Sequence, residues 1–387
     1  MRYTLTTCIS LLLLGTLCGC WNKAELTEFG FVQAVAVDQS KDGKIELTTH
    51  FYLPSSGEAS SGSRPGRKGV SIVTKGESAF DAVRDIPIHF GRKAKWDHFR
   101  VIIIGEDFAK KNEINHFLDY FMRDHEPREN VFVLIAKGKA GEVLSLKPFI
   151  ESTIGQQIRR MIESGAKYNA KTSKVPLLDL ANQLNSETSI AMLPYIQIDH
   201  KPELASVAGI AAIKNGLLAG TLSPEDVQSL LMILNQYKSG IIIFPCSGYS
   251  LSDIEHNESL EVMSAVGKIT PRLQNNTVIT QITVKLKGSI GELKCSKVRS
   301  KADGKRLEQQ IQQNIEVSLK HTISKLQQEK WDLLGIGNKM YRKNPALWKQ
   351  LKPNWDDFFS NSTFEFNIQV QIKNSGQDIS IPFSVKK

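Results

Sequence analysis

Apolar and polar residues alternate at two places in this chain, in the manner of a half-buried strand at the first and strictly at the second. Ile45, Leu47, Thr49, Phe51 and Leu53 do so over Lys44–Leu53, and Phe364, Phe366, Ile368, Val370 and Ile372 do so near the end. A period of two puts one set of side chains on one face, so both segments read as strands. Phe29–Val37 reads as a buried strand, and Asp38–Gly43 between the first two strands as a turn rich in residues that tolerate left-handed geometry. Ser55–Gly69, dense in Ser, Gly and basic residues, reads as a mobile loop. A helix over Glu77–Asp85, a strand over Phe99–Ile104, a helix over Asp107–Arg123 and a strand over Asn130–Ala136 follow. This order implies a mixed sheet with helices packed on it. Helices near Ser152–Glu163 and Pro176–Asn185, separated by a lysine-rich linker over Gly165–Lys174, close this first block.

Apolar runs flanking Lys214-Asn215-Gly216 signal a hairpin. Ser223-Pro224-Glu225-Asp226 then has a serine to cap a helix, a proline for its first turn and acids at the positive end of its dipole. A strand over Gly240–Pro245 follows. Further on, strands are expected near Glu261–Thr270 and Val278–Lys287. Leu307, Ile311, Ile315, Leu319, Ile323 and Leu326 recur at steps of three and four, predicting one long amphipathic helix from about Lys305 to Trp331. Gly335 and Gly337 are expected to stop it. No internal repeat is visible, which argues against solenoids and propellers. The expected fold class is α+β and multidomain, with mixed and antiparallel sheets and packed helices. The expected division is a signal segment 1–19, an N-terminal α+β domain 20–200, a small middle unit 205–256 and a C-terminal α+β domain 257–387.

Composition narrows the class further. The 387 residues are 41% hydrophobic and 23% charged, which fits a globular chain and not a disordered or multi-pass membrane one. A net charge of +9 is modest at this length and does not indicate nucleic acid. The N-terminus changes the picture. Arg2 and the apolar run Ile9–Leu14 form a secretory signal too short to span a bilayer. It ends in Leu17-Cys18-Gly19-Cys20, the order of a bacterial lipobox. A signal peptidase needs a small residue before the cut, here Gly19, and thioether attachment of a diacylglyceryl group needs a free thiol, here Cys20; an ordinary secretory signal with a chance cysteine is the other reading. Cys18 competes poorly because bulky Leu17 precedes it. Each buried CH₂ of the acyl chains contributes about 0.8 kcal/mol, so two chains anchor durably where one does not. The expected location is therefore the outer side of a membrane, without crossing it. Two further cysteines, Cys246 and Cys295, are free to pair or to stay as buried thiols in that setting.

Tests for catalytic chemistry find little. The histidines show no HExxH or other helix-face metal spacing. Asp253, Glu255, His256 and Glu258 crowd one segment, and a solvated loop explains them better than a cation site does. No Gly-x-Ser-x-Gly elbow or phosphate-binding Gly-x-x-x-x-Gly-Lys occurs. Gly335-Ile336-Gly337 resembles half of a dinucleotide loop but follows a helix. No catalytic residue, cofactor or metal is assigned. Two basic stretches remain. Lys285–Arg306 carries eight basic residues against Glu292 and Asp303, and Lys339, Arg342, Lys343, Lys349 and Lys352 interleave with Tyr341, Trp348 and Trp355. Outside a membrane, anionic headgroups or an acidic protein face suit such stretches better than nucleic acid. Arg342, Lys343, Trp348 and Trp355 are accordingly candidate partner or membrane contacts, with core packing of the two tryptophans as the other reading.

The start Cys20-Trp21-Asn22-Lys23-Ala24-Glu25-Leu26, followed by Phe29-Gly30-Phe31, resembles the opening of the Ger(x)C family, the C-subunit lipoproteins of spore nutrient-germinant receptors. The resemblance continues through Gly91-Arg92-Lys93, His98, Val101–Glu106, Asp119, Arg123-Asp124, Pro127-Arg128 and Ala136-Lys137-Gly138. It returns at Gly335-x-Gly337, Asn344-Pro345, Trp348, Lys352, Trp355 and Phe359. Asn22 departs from the aspartate common in the family, within the tether. Of these positions, the glycines are expected to serve turns or helix ends, and Arg92, His98 and Arg128 receive no ligand role.

The resemblance implies a non-enzymatic receptor subunit on the outer face of the spore inner membrane. It implies two integral-membrane partners, a channel-like A subunit and a transporter-like B subunit, with membrane lipid as a further partner through acylated Cys20. It implies no nucleic acid and no small-molecule ligand on this subunit alone. Two other classes stay open. A lipid-anchored solute-binding protein needs two similar lobes joined by a hinge, and a surface-anchored hydrolase needs converging polar groups.

Overall fold

The structure, a computed structural model, describes Tyr3 and residues 25–52, 69–124, 126–128, 130–200 and 203–374. The lipobox with Gly19 and Cys20, and the Ser55–Gly69 segment apart from Gly69, lie outside the described residues.

After a 3₁₀ turn over Leu26–Glu28, the chain forms β1 (Phe29–Gln39), β2 (Ile45–Tyr52) and β3 (Gly69–Gly76). Helices α1 (Ala79–Arg84) and α2 (Ile86–Phe90) lead to the short β4 (Lys93–Lys95) and β5 (Val101–Gly105). Then come α3 (Glu106–Lys111), α4 (Ile114–Arg123), β6 (Phe132–Ala136), α5 (Ala140–Val143), α6 (Ile154–Tyr168) and α7 (Leu177–Leu184). Strands β7 (Ile190–His200), β8 (Glu203–Lys214) and β9 (Leu217–Leu222) finish the sheet. Its order is β3-β2-β1-β5-β6-β7-β8-β9, with β4 beside the start of β1. The middle strands β1, β5, β6 and β7 run parallel, and the flanking strands are antiparallel.

Helices cover both faces of this sheet, which is why β1, β5 and β6 are apolar on both sides. Val32, Val35 and Val37 face a core with Ile86, Phe108, Phe117 and Leu180, while Ala34 and Ala36 face one with Ile154, Ile158 and Ile162. The small residues on that second face let α6 come close. A Cβ at Gly155 would meet the Gln33 carbonyl at 2.8 Å.

Asp107–Arg123, expected as one helix, is two. Asn112 adopts extended geometry, and its side-chain amide bonds the Phe108 carbonyl at 3.1 Å. Such local bonding competes with the helical ladder and ends α3. Helix α6 runs on to Tyr168, so the lysine-rich linker begins as helix.

The second half contains α8 (Pro224–Ile233), β10 (Gly240–Pro245), β11 (Asn257–Gln274) and β12 (Thr277–Glu292). The long α9 (Lys301–Gln328) follows, then α10 (Ile336–Lys343), α11 (Pro345–Leu351), α12 (Trp355–Ser360) and β13 (Thr363–Asn374). The sheet order is β10-β11-β12-β13. The first three are antiparallel neighbours, and β13 returns parallel to β12 after the helical crossover. Leu307, Ile311, Ile315, Leu319, Ile323 and Leu326 form the buried stripe of α9 against this sheet. The molecule is thus α+β, with two unlike sheets and packed helices. Residues 205–256 supply β8 and β9 to the first sheet and α8 and β10 to the second core.

Gly335 and Gly337 do not stop α9, which ends at Gln328; they open α10. Gly335 sits at φ 65°, a left-handed conformation that costs glycine no Cβ clash. At Gly337 a Cβ would lie 2.6 Å from Thr188, 2.7 Å from Trp348 and 2.9 Å from Trp355. That glycine lets three elements meet.

Candidate functional site

The basic, aromatic stretch after α9 folds into the seam between the two halves. Asn344 caps α11, accepting from the Leu347 amide at 3.0 Å, with Pro345 in the first turn. Pro353 breaks the helix after Leu351, as its missing N–H requires, and α12 restarts at Trp355. The break turns Trp355 toward Trp348, whose ring centroid lies 4.9 Å away in an edge-on contact. Both rings are buried. The Trp348 indole N–H donates to Glu187 Oε2 at 2.8 Å, where the Lys352 ammonium also donates at 2.8 Å. These two donors, Lys352 foremost, hold the Glu187 carboxyl below the usual carboxylate range. Glu187 lies in the turn between α7 and β7, so this contact ties the first half to the second. Asn338 adds bonds to Ser186 and Thr188 of the same turn at 3.2 and 3.0 Å.

Beneath the tryptophans lies Asp332. Its Oδ1 accepts from the Ile336 amide at 2.8 Å, and its Oδ2 from the Gly337 amide at 2.7 Å and the Trp355 indole at 3.1 Å. Burial pushes this carboxyl up to about 7, against the pull of those donors. Asp332 borders a cleft of about 460 Å³ also lined by Asn185, Glu187, Asn338, Tyr341 and Arg342. The cleft is rich in amides and hydroxyls, yet its carboxylates are already engaged by protein donors. It offers recognition of a polar surface and shows no nucleophile paired with a base.

The four predicted contact residues therefore separate. Trp348 and Trp355 are core, while Arg342 and Lys343 are exposed at the end of α10. The other basic stretch spreads over the outward face of β12 (Lys285, Lys287), the loop after it and the first two turns of α9, where Arg306 pairs with Asp303. The acidic segment near 255 does not converge. Glu258 is fully buried on β11 and accepts the Lys294, Cys295 and Ser296 amides at 2.9, 2.9 and 2.7 Å. His256 instead stacks on Tyr249 at 3.7 Å. Beside Glu258, Cys246 and Cys295 form a disulfide, which engages both sulfurs that could otherwise join the carboxylate around an ion. Of the polar positions left without a role, His98 stands edge-on to Phe31, and Arg92 and Arg128 are exposed.

A larger groove, of about 680 Å³, was not anticipated from the sequence. It runs between β10, α8 and α9, with Met232, Ile241, Ile243, Leu251 and Val317 among its walls. Ile241 and Ile243 are each 54% exposed and Val317 67%. The alternation in Gly240–Pro245 held a signal for this face, since residues alternating with buried Ile242 and Phe244 must point away from the core. Exposed apolar surface of this kind is characteristic of interaction sites.

The family described as spore germination protein N-terminal domain matches residues 22–198. That described as spore germination B3/GerAC like, C-terminal, matches residues 208–376. Spore germination protein B3 of Bacillus subtilis (strain 168) is 26% identical over 366 residues, covering 93% of this chain and 95% of that protein. Spore germination protein KC of the same organism is 23% identical over 402 residues, covering 97% of each. The crystal structure of the GerBC protein aligns with a TM-score of 0.56 at 24% identity, over 88% of this chain and 97% of that one, a likeness of fold.

Proposed function

The chain belongs to the Ger(x)C family of spore germination proteins, and on that premise we propose that it is the lipid-anchored, non-enzymatic C subunit of a spore germinant receptor. One observation carries this reading. The N-terminal family match begins two residues after Cys20, and the two matches then follow in order through residue 376. In this reading Gly19–Cys20 is the cleavage site and acylated Cys20 holds the protein on the outer face of the spore inner membrane. Confinement to that plane raises its effective concentration near the integral-membrane A and B subunits, so weak contacts suffice. The subunit then supports assembly, or biases the receptor between closed and open states through contacts that differ between them. Among the described residues no helix is long and apolar enough to cross a membrane.

Cys20→Ala tests this directly. The variant is expected to leave the spore membrane fraction and to slow nutrient-triggered germination strongly, while a tag on the parent chain co-recovers two multi-span proteins. Normal nutrient germination by spores carrying only the unacylated, unanchored form would overturn the reading. The solute-binding alternative predicts tight calorimetric binding of amino acids or sugars to the isolated chain. Its requirement for two like lobes is not met by a nine-stranded and a four-stranded sheet.

A further inference from the structure

Strands β1, β5 and β6 run parallel with Ala34, Val101 and Phe132 in register, so the chain enters all three at the same edge of the first sheet. Arg100 sits at that edge. Its amide donates to the Gln33 carbonyl at 2.9 Å, and its carbonyl accepts from the Phe132 amide at 3.0 Å. Its Nε is buried with no hydrogen-bond partner among the described residues. Three more guanidinium groups gather round it, from Arg128 before β6 and from Arg159 and Arg160 on α6. Burial and these like charges together lower the Arg100 pKa. Arg159 lies over the Phe132 ring at 4.6 Å and reaches the Asn130 carbonyl at 3.4 Å. The carboxylates that pair with this group among the described residues are Glu163, 3.1 Å from Arg159 and 3.3 Å from Arg160, and Glu151, 3.7 Å from Arg160. Among the described residues four guanidinium groups face two carboxylates, an excess of positive charge that a phosphate would relieve.

We propose that this edge seats the protein on the bilayer, with Arg100, Arg128, Arg159 and Arg160 holding the phosphates of anionic lipids and Phe149 and Ile150 entering the headgroup layer beside them. Two features favour a lipid over a dissolved phosphate. Phe149 and Ile150 are 66% and 94% exposed and directly precede Glu151, the partner of Arg160. Apolar side chains standing in water next to cations are the signature of interfacial membrane binding. The edge is also the one from which the N-terminal segment leaves the sheet. Cys20 precedes Phe29 by nine residues, at most about 30 Å of chain, and Arg100 is level with Gln33, about 13 Å further along β1. The proposal rests on the lipid-anchored reading for its biological setting, but the binding it predicts needs no acyl group.

The test uses unacylated protein beginning at Trp21, which retains every described element from Leu26 to Asn374. Flotation with phosphatidylcholine vesicles is compared with flotation using vesicles that contain about one-third phosphatidylglycerol. The parent is expected to float with the anionic vesicles, less so as salt rises. Arg128→Gln/Arg160→Gln, both at exposed positions, is expected to lower that partition about fivefold per charge removed. Arg128→Lys/Arg160→Lys keeps the charge and should retain most of the binding. Phe149→Ser/Ile150→Ser should weaken it even at low salt. Equal partition of parent and Arg→Gln variant would overturn the proposal. So would loss of binding only when Lys297 and Arg299 are changed, and so would release from vesicles by millimolar inorganic phosphate at constant ionic strength, the mark of a soluble-anion site. Because Cys20 takes no part in the assay, vesicle binding that persists beside a failed Cys20→Ala test separates this proposal from the reading above.

Discussion

Asp332 and His50 are buried in different cores and respond to pH with opposite sign. His50 donates or accepts at Nδ1 with Ser71 at 2.9 Å, its Nε2 has no partner among the described residues, and burial lowers its pKa from 6.5 to about 4. Between those values the unfolded chain binds a proton that the folded chain refuses, so stability falls as pH drops from about 6.5 toward 4. Asp332 is raised from 3.8 to about 7, so the folded chain holds the extra proton. Its contribution is complete below about 3.8 and is lost as pH rises through about 7. Urea denaturation across this range is expected to show each effect alone. His50→Gln removes the acid-side loss and moves the stability optimum to lower pH. Asp332→Asn removes the decline toward neutrality and moves the optimum upward. The asparagine also costs about 1–3 kcal/mol, because its amide group must face backbone and indole N–H donors. An unchanged pH profile in either variant contradicts the corresponding assignment.

Helix α9 shows how one element is held at its start, along its length and near its end. Ser300 accepts from the Asp303 amide at 3.1 Å, and Asp303 accepts from the Ser300 amide at 2.9 Å, a reciprocal cap. Near the far end, Thr322 and Lys325 donate to Asp226 of α8 at 3.0 and 3.1 Å. Burial of Asp226 raises its pKa, but the bonds from Lys325, Thr322 and Ser223 outweigh that and hold it below the usual value. Ser300→Ala should cost about 1 kcal/mol, the usual worth of a cap. Asp226→Ala should cost more, about 3 kcal/mol, since it leaves Lys325 and Thr322 facing a part-buried gap. Equilibrium denaturation of the two variants checks the ranking. Equal losses would show that the α8–α9 contact adds nothing beyond packing.

Strands β7 and β8 join the two halves into one body. Along β7, Ala191 and Leu193 point into the first core while Ile190 and Met192 point into the second. Along β8, Ala211 and Ile213 face the first and Ile210 and Ala212 the second. A hairpin buried on both faces cannot loosen in one core without exposing the other. Lys214–Asp356 and Lys352–Glu187 ion pairs add to this seam at the surface, where such pairs contribute little. Ile210→Ala, on the second-core face, should cost about 2–5 kcal/mol. Amide hydrogen exchange is expected to show protection falling in β1, β5 and β6 as well as in β11 and β12. Loss confined to the second sheet would mean that the halves unfold independently.

Local regularities carried much of the architecture into the sequence. The stripe of α9, the Ser223 cap, the alternation of β2 and β13 and the Asn215-Gly216 turn were legible because each depends on neighbours a few residues away. The turn has φ values of 51° and 81° at its two residues, which few side chains allow. The family resemblance was legible too, because its motifs keep their order along the chain. The tertiary structure was needed wherever the deciding contact joins distant residues. It alone places Trp348 and Trp355 against Glu187 and Asp332, turns Gly335 and Gly337 from a helix stop into a helix start, and splits Asp107–Arg123 in two. It also gathers Arg100, Arg128, Arg159 and Arg160, which lie up to sixty residues apart, at the entry edge of three parallel strands. Periodicity records which face of an element is apolar, but register and crossover determine what that face meets, and in this protein the cores, the seam and the arginine edge are all made by such meetings.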